Sequence, residues 1–258
     1  MRLKRVAHLP WPIILGLAFG LGLWGYLRWQ QGRTITIPDV TLPDIPIIES
    51  PPPSSGVNPG LPTITIPAAY TIKDVPFTPQ APFANWDELH NEACEEASVL
   101  IARRYFDGER GGLIDPVDAD REIYEIVDWE KANLGKYLDT NAEEVLRILT
   151  EKYGRKARLS TTVTVNSVKK EIAAGHLIIV PAAGQMLPNP YFRSPGPPYH
   201  MLVIVGYDDN EFVTNDVGTR RGEGFRYKHD DLLNAVHDWT GDKSTITSGR
   251  KVMIVVEG

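Results

Sequence analysis

The chain carries a single cysteine, Cys94, and it stands where a nucleophile would stand. It lies in Asn91-Glu92-Ala93-Cys94-Glu95-Glu96-Ala97-Ser98, at the start of the strongest helical pattern in the sequence. Gln80 precedes it by fourteen residues. About a hundred residues further on, His200 opens an apolar run, and Asp216 closes the next one. That is the order of an oxyanion donor, a thiol, a base and a carboxylate that orients the base. A lone Cys with a distant His and Asp is the pattern of a thiol enzyme, and equally of a buried structural thiol until the fold brings the three together.

Each residue type suits its part. A thiol in the first turn of a helix meets free amides and the positive end of the macrodipole, which favour a thiolate. Asn91 is the expected cap, placing Cys94 near the third helical position. Glu95 and Glu96 work against this, because adjacent negative charge raises a thiol pKa. His200 stands at a strand mouth after the irregular segment 189–199, where its ring can face a cleft. If Tyr207 pairs with Glu211 across the Asp208-Asp209-Asn210 turn, Leu202 faces Asp216 and His200 faces Gly218. Asp216 then shares a sheet face with His200, while a one-residue slip would substitute Asn215. Either side chain can accept from an imidazole N–H and fix its tautomer. The Gln80 amide, with a backbone N–H at the helix start, can hold a developing oxyanion. Trp86, His90 and Tyr199, which flank nucleophile and base, are expected to line the substrate cleft. No His/Cys/Asp cluster has metal-like spacing and no Gly-rich phosphate loop is present, so neither metal nor cofactor is implied.

Helices must position the thiol and strands the base. Helical periodicity predicts helices from Glu88 or Asn91 to Phe106, from Asp118 to Asn133, from Asn141 to Tyr153 and from Ser167 to Ala174. Strands are expected over 176–181, 201–207, 211–215, 224–228 and 251–256. Helices first and strands second point to an α+β domain with a mostly antiparallel sheet.

Ahead of that domain, expected over residues 71–258, the chain has a different character. Arg2, Lys4 and Arg5 precede an uncharged stretch from Leu9 to Leu27. As a helix it would span roughly 28 Å, close to bilayer thickness. With Trp11, Trp24, Tyr26 and Trp29 at its ends, it reads as a transmembrane anchor within residues 1–32, against the alternative of a cleaved signal peptide. Residues 33–70 hold nine prolines and read as an extended linker. The basic flank places the N-terminus in the cytoplasm and the domain outside it, on the cell membrane. A net charge of −6 argues against nucleic acid as a partner.

Four segments together resemble a known family: Val75-Pro76-Phe77-Thr78-Pro79-Gln80, Ala93-Cys94-Glu95-Glu96-Ala97-Ser98, Tyr199 to Asp209, and Thr214-Asn215-Asp216. They look like the peptidase family that contains the double-glycine-leader peptidases, and most like its stand-alone branch. The resemblance covers roughly residues 72–257 and implies a papain-like fold. It also implies a peptide or protein substrate, with Gln80 as oxyanion-hole glutamine, Cys94 as nucleophile, His200 as general base and Asp216 as orienting acid. The chain departs from the family pattern in having Glu95 where a glycine usually follows the nucleophile, and in a longer Gln-to-Cys spacing. Leader-processing members are fused to a transporter; with one span and no nucleotide-binding motif, export-coupled leader cleavage does not follow here. The combined expectation is a membrane-anchored cysteine peptidase outside the cytoplasm, or an inactive tethered module that binds peptides or cell-wall material. Protease added to intact cells or protoplasts should remove residues 71–258; protection until lysis would overturn the topology.

Overall fold

The computed structural model describes residues 66–258, so the expected anchor and most of the expected linker lie outside the described residues. In chain order the elements are β1 (Tyr70–Thr71), α1 (Glu88–Asn91), α2 (Cys94–Phe106), α3 (Pro116–Asn133), α4 (Ala142–Arg147), β2 (Ala157–Ser160), α5 (Val165–Ala173), β3 (Leu177–Ala182), β4 (His200–Tyr207), β5 (Glu211–Asn215), β6 (Phe225–Lys228), α6 (His229–Ala235) and β7 (Met253–Val256). Among the described residues no helix is long and apolar enough to cross a membrane.

The helix starts follow local hydrogen-bonding chemistry. Asp115 caps α3 through the amides of Val117 and Asp118, with Pro116 in the first turn where its missing N–H costs nothing. Asn141 and Glu144 form a capping box at α4, and Thr164 and Ser167 form another at α5. The expected single helix over 141–153 is α only to Arg147. Its last turn, Ile148–Lys152, widens to π geometry.

All strand pairings are antiparallel, in the order β2-β7-β3-β4-β5-β6, and β1 takes the edge of β4 beyond the end of β3. The protein is thus an α+β domain with helices packed on an antiparallel sheet. β3 and β4 are buried along their whole length, and α2 lies against them. Every residue of α2 from Cys94 to Ala102 is buried. Covered on both sides, this helix has no solvent-facing stripe over its first half, and its polar residues there, Glu95, Glu96 and Ser98, are buried.

The β4–β5 hairpin corrects the expected register in one place and retains it in another. Asp208 accepts from the amides of Asn210 and Glu211 at 2.8 Å each and tightens the turn, so Tyr207 pairs with Phe212 rather than Glu211. A bulge at Val205 then absorbs one residue, and Ile204 faces Thr214 while Val203 faces Asn215. Beyond the bulge the ladder is the one the sequence predicts. Pro181, expected to end its strand, lies within β3. It falls past the last β7 pair, Ile179–Ile254, so no ladder bond needs its absent N–H.

The segment read as linker ends on the domain. The Pro67 carbonyl accepts from Tyr207 Oη at 3.1 Å, and Tyr70 pairs with Tyr207.

Where α2 meets α3, Glu96 and Glu130 are fully buried, and their carboxyl oxygens have no hydrogen-bond partner apart from each other. Burial and then each other's charge push Glu96 well above the usual carboxylate range, and burial pushes Glu130 up to about 8. A carboxyl raised in this way stabilises the fold fully below its unfolded value of 4.5, and that contribution is lost as pH rises through about 8. Stability should therefore fall from about pH 5 to pH 8 by roughly 1 kcal/mol per pH unit for each carboxyl involved. Urea unfolding of the Glu130→Gln variant should show a shallower decline and a higher midpoint than wild type at pH 8. Parallel pH profiles would mean that the pair stays ionised.

Candidate active site

Cys94 is the first residue of α2. The helix start differs from expectation: the N-cap is Ala93, with no side-chain cap, and Asn91 belongs to the separate short helix α1. The Asn91 side chain donates back to the carbonyls of Trp86 and Asp87 and is not available to α2. The thiol is therefore closer to the helix terminus than the sequence suggests.

His200 and Asp216 meet as the register predicts. His200 Nε2 donates to Asp216 Oδ1 at 2.8 Å, and both side chains are essentially inaccessible to solvent. Asn215 faces elsewhere, donating to the Pro76 carbonyl and accepting from the Gly224 amide. Between the two candidate acids the structure selects Asp216.

Three more donors converge on this carboxylate. Tyr227 Oη donates to Oδ2 at 2.5 Å, Asn189 Nδ2 to Oδ2 at 3.0 Å, and the Gly218 amide to Oδ1 at 3.0 Å. Burial works to raise the Asp216 pKa, but the His200 charge and the bonds from His200, Tyr227 and Gly218 outweigh it and hold the group below its ordinary value. Gly218 also clears space for the ring: a Cβ there would stand 2.9 Å from His200 Cε1 and 2.8 Å from Phe192 Cε1. Phe192 packs edge-on against the imidazole at 5.4 Å.

The sequence reading missed Tyr227 and Asn189. Tyr227 did leave a signal, because β6 alternates exposed Arg226 and Lys228 with an inward Tyr whose hydroxyl needs a partner. Asn189, in an irregular segment, left none.

A cleft of about 940 Å³ lies beside this assembly, bordered by Gln80, Trp86, Leu138, Tyr191, Tyr199 and Gly218; Cys94, His200 and Asp216 are buried and do not line it. Trp86 lines it as expected. Tyr199 does too, with its hydroxyl tied to the Thr140 carbonyl at 3.0 Å. His90, expected in the cleft, is not there. Its ring is fully buried, with Nδ1 2.7 Å from Asp87 and Nε2 3.0 Å from Asp120, and these two carboxylates draw it into the seam between α1 and α3.

Gln80 borders the cleft, anchored by its own amide to the Val217 carbonyl. Its side-chain Nε2 donates to the His90 carbonyl at 2.8 Å and the Asn91 carbonyl at 3.2 Å, so both of its N–H groups are engaged just ahead of Cys94.

The thiol itself bonds to Glu95. Cys94 Sγ donates to Glu95 Oε2 at 3.0 Å, and Sγ forms no hydrogen bond with the His200 ring. Burial pushes the thiol well above its ordinary pKa, the bond to Glu95 and any ionisation of Glu95 or Glu96 push the same way, and the Met201 backbone amide opposes them. Glu95 is likewise raised, by burial and then by Glu96.

The sequence model of the Peptidase_C39 like family matches residues 72–245, a span that holds Gln80, Cys94, His200 and Asp216. The chain belongs to the C39-like peptidase family. No curated protein matches it. Among solved structures, one from Bacillus anthracis that carries the name C39-like peptidase aligns with a TM-score of 0.49 at 14% identity, covering 74% of this chain and 98% of the other. A likeness at that level supports no conclusion about chemistry. Family membership makes the domain a cysteine-peptidase relative in fold, and inactive relatives are part of such families.

The donor set around Asp216 can be tested directly in this C39-like domain. Tyr227→Phe should cost roughly 1.5–3 kcal/mol, the usual range for a hydrogen bond to a charged group. A carboxylate with a lowered pKa stabilises the fold above its unfolded value and loses that contribution as pH falls through its folded one. The acid-unfolding midpoint of Tyr227→Phe should therefore move to higher pH. Unchanged urea and acid unfolding would show that the hydroxyl does not stabilise the charge.

Proposed function

We propose that the protein is a membrane-anchored cysteine peptidase, with its domain outside the cytoplasm, that hydrolyses peptide bonds through Cys94, His200 and Asp216. The observation that carries this reading is the buried His200–Asp216 pair, fully supplied with donors, next to the start of the helix that bears the chain's one cysteine and beside a cleft that Gln80, Tyr199 and Gly218 border.

On this reading each residue has one task. Nε2 is committed to Asp216, so Nδ1 is the ring atom left for the thiol. His200 takes the Cys94 proton at Nδ1, and Asp216 stabilises the imidazolium. The thiolate attacks the scissile carbonyl carbon and breaks its π bond onto oxygen. Amides at the start of α2, with Gln80, hold that oxyanion. Collapse of the intermediate expels the amine, which takes the proton from His200. Water, deprotonated by the same ring, then releases the acid and restores the thiol. The cleft walls, Trp86, Leu138 and Tyr191, are about half exposed and suit apolar side chains of an extended peptide.

A second reading, a tethered binding module without turnover, is favoured by one observation: the thiol is bonded to Glu95 and held protonated. A thiol-directed activity-based probe separates the two, since a module without turnover should not label selectively at Cys94. On the peptidase reading, Cys94→Ala should abolish hydrolysis of a peptide library with no change in thermal unfolding, and His200→Ala should be nearly as severe. Gln80→Ala should lower kcat on the order of a hundredfold. Asp216→Asn should be damaging but partial, since an amide oxygen can still orient the ring. Wild-type turnover retained in Cys94→Ala would reject the reading.

A further inference from the structure

Two side chains of the candidate site are engaged in bonds that catalysis would have to undo. Cys94 Sγ is bonded to Glu95 Oε2 at 3.0 Å, and the Gln80 amide is bonded to the carbonyls of His90 and Asn91. His200 and Asp216 are already in working order. The site is complete on the sheet side and latent on the helix side.

We propose that Glu95 is a gate on the thiol: in the resting domain its carboxyl holds the Cys94 S–H off the imidazole, and reaction begins when the thiol exchanges Glu95 for His200. The proposal rests on the assignment of Cys94 and His200 as nucleophile and base. Glu95 is suited to the task by where it is. It is 1% exposed, and its second oxygen, Oε1, has no hydrogen-bond donor. The groups facing it are acids or neutral: Glu96 on its own helix, Glu130 from α3, Asp139 from the loop before α4, and Tyr199 just ahead of β4. The lysines on this side are already paired. Lys243 holds Glu92 and Asp139, and Lys136 holds Glu144.

A carboxyl enclosed this way stays protonated and neutral, and a neutral acid bonded to a neutral thiol is stable in a dry site. The exchange balances without any change at Glu95. The S–H proton passes to His200 Nδ1, the imidazolium is matched by the Asp216 carboxylate, and Glu95 keeps its own proton. Gln80 gains freedom to point at the oxyanion when the same helix-start segment releases it.

Alkylation of the full-length protein by iodoacetamide tests the gate, because the chain has one cysteine and the reaction needs no substrate. Rates are followed from about pH 5 to pH 10 for wild type, Glu95→Ala, His200→Ala and the double variant. The gate predicts that Glu95→Ala reacts about tenfold faster than wild type at pH 7, with the profile shifted about one unit to lower pH, since the thiolate is the reactive form. The gain should vanish in the double variant. No gain would overturn the proposal. A gain that survives loss of His200 would overturn it as well, because alanine would then merely have uncovered the sulfur. If Glu95→Ala does not fold, Glu95→Ser, also too short to reach past the thiol, carries the same expectation. A His200-dependent gain in a protein that cleaves no peptide would keep the gate and reject the peptidase reading. Peptide cleavage without the gain would do the reverse.

Discussion

A carboxylate with no access to water must be given donors by the protein, and Asp216 is given four. Much of the domain's sheet-side architecture can be read as the means of delivering them. β4 brings the His200 ring, β6 brings the Tyr227 hydroxyl, the irregular segment before β4 brings Asn189, and the turn after β5 folds the Gly218 amide back onto the side chain. Removing one donor from such a charge is expensive, because the group left behind is still buried and still ionised. This explains why the β4–β5 ladder is corrected by a bulge before it reaches the site. A slip carried through to Asp216 would have put Asn215 against the imidazole and left the charge on the wrong face.

The helix side follows the opposite rule. Glu95, Glu96 and Glu130 are as buried as Asp216 yet have almost no donors, and burial pushes the pKa of each of them up instead of down. The same residue chemistry is therefore under opposite pressures within one domain, its anion favoured by donors on one side of the thiol and disfavoured by burial on the other. Cys94 lies at the boundary, and its state depends on which side it bonds to.

What the sequence made legible were the features set by local pattern. Helical periodicity located α2 and α3, and apolar runs bounded by turn chemistry located β4 and β5. The meeting of His200 with Asp216 came out as expected because two departures cancel: the turn is one residue tighter than the expected Tyr207–Glu211 pairing, and the bulge at Val205, which nothing in the sequence marks, restores the frame. Short elements escaped: β1 has two residues and exists only by completing the edge of β4, and nothing in Ala157–Ser160 marks β2 as a strand. The cap of α2 was misjudged because Asn91 is used by its own helix, and His90 because its fate depends on Asp120, thirty residues away. The Glu95–thiol bond was foreseen only as a conflict of charges. Its outcome, a bond between the two side chains, depends on burial that no local pattern reveals.

The chain enters the domain at the pole opposite its chemistry. Tyr70 pairs with Tyr207 at the far end of the strand that His200 begins, and along β4 that separation is roughly 23 Å. From there residues 72–80 run across the sheet and arrive at Gln80, whose amide is fixed to Val217. The first described residues, from Ile66 to Thr71, thus join the domain at the end of β4 away from His200. In evolutionary terms leader and cleft are separable: a lineage can exchange the leader of such a domain, lengthen it or lose it, without selecting again for the geometry of the cleft.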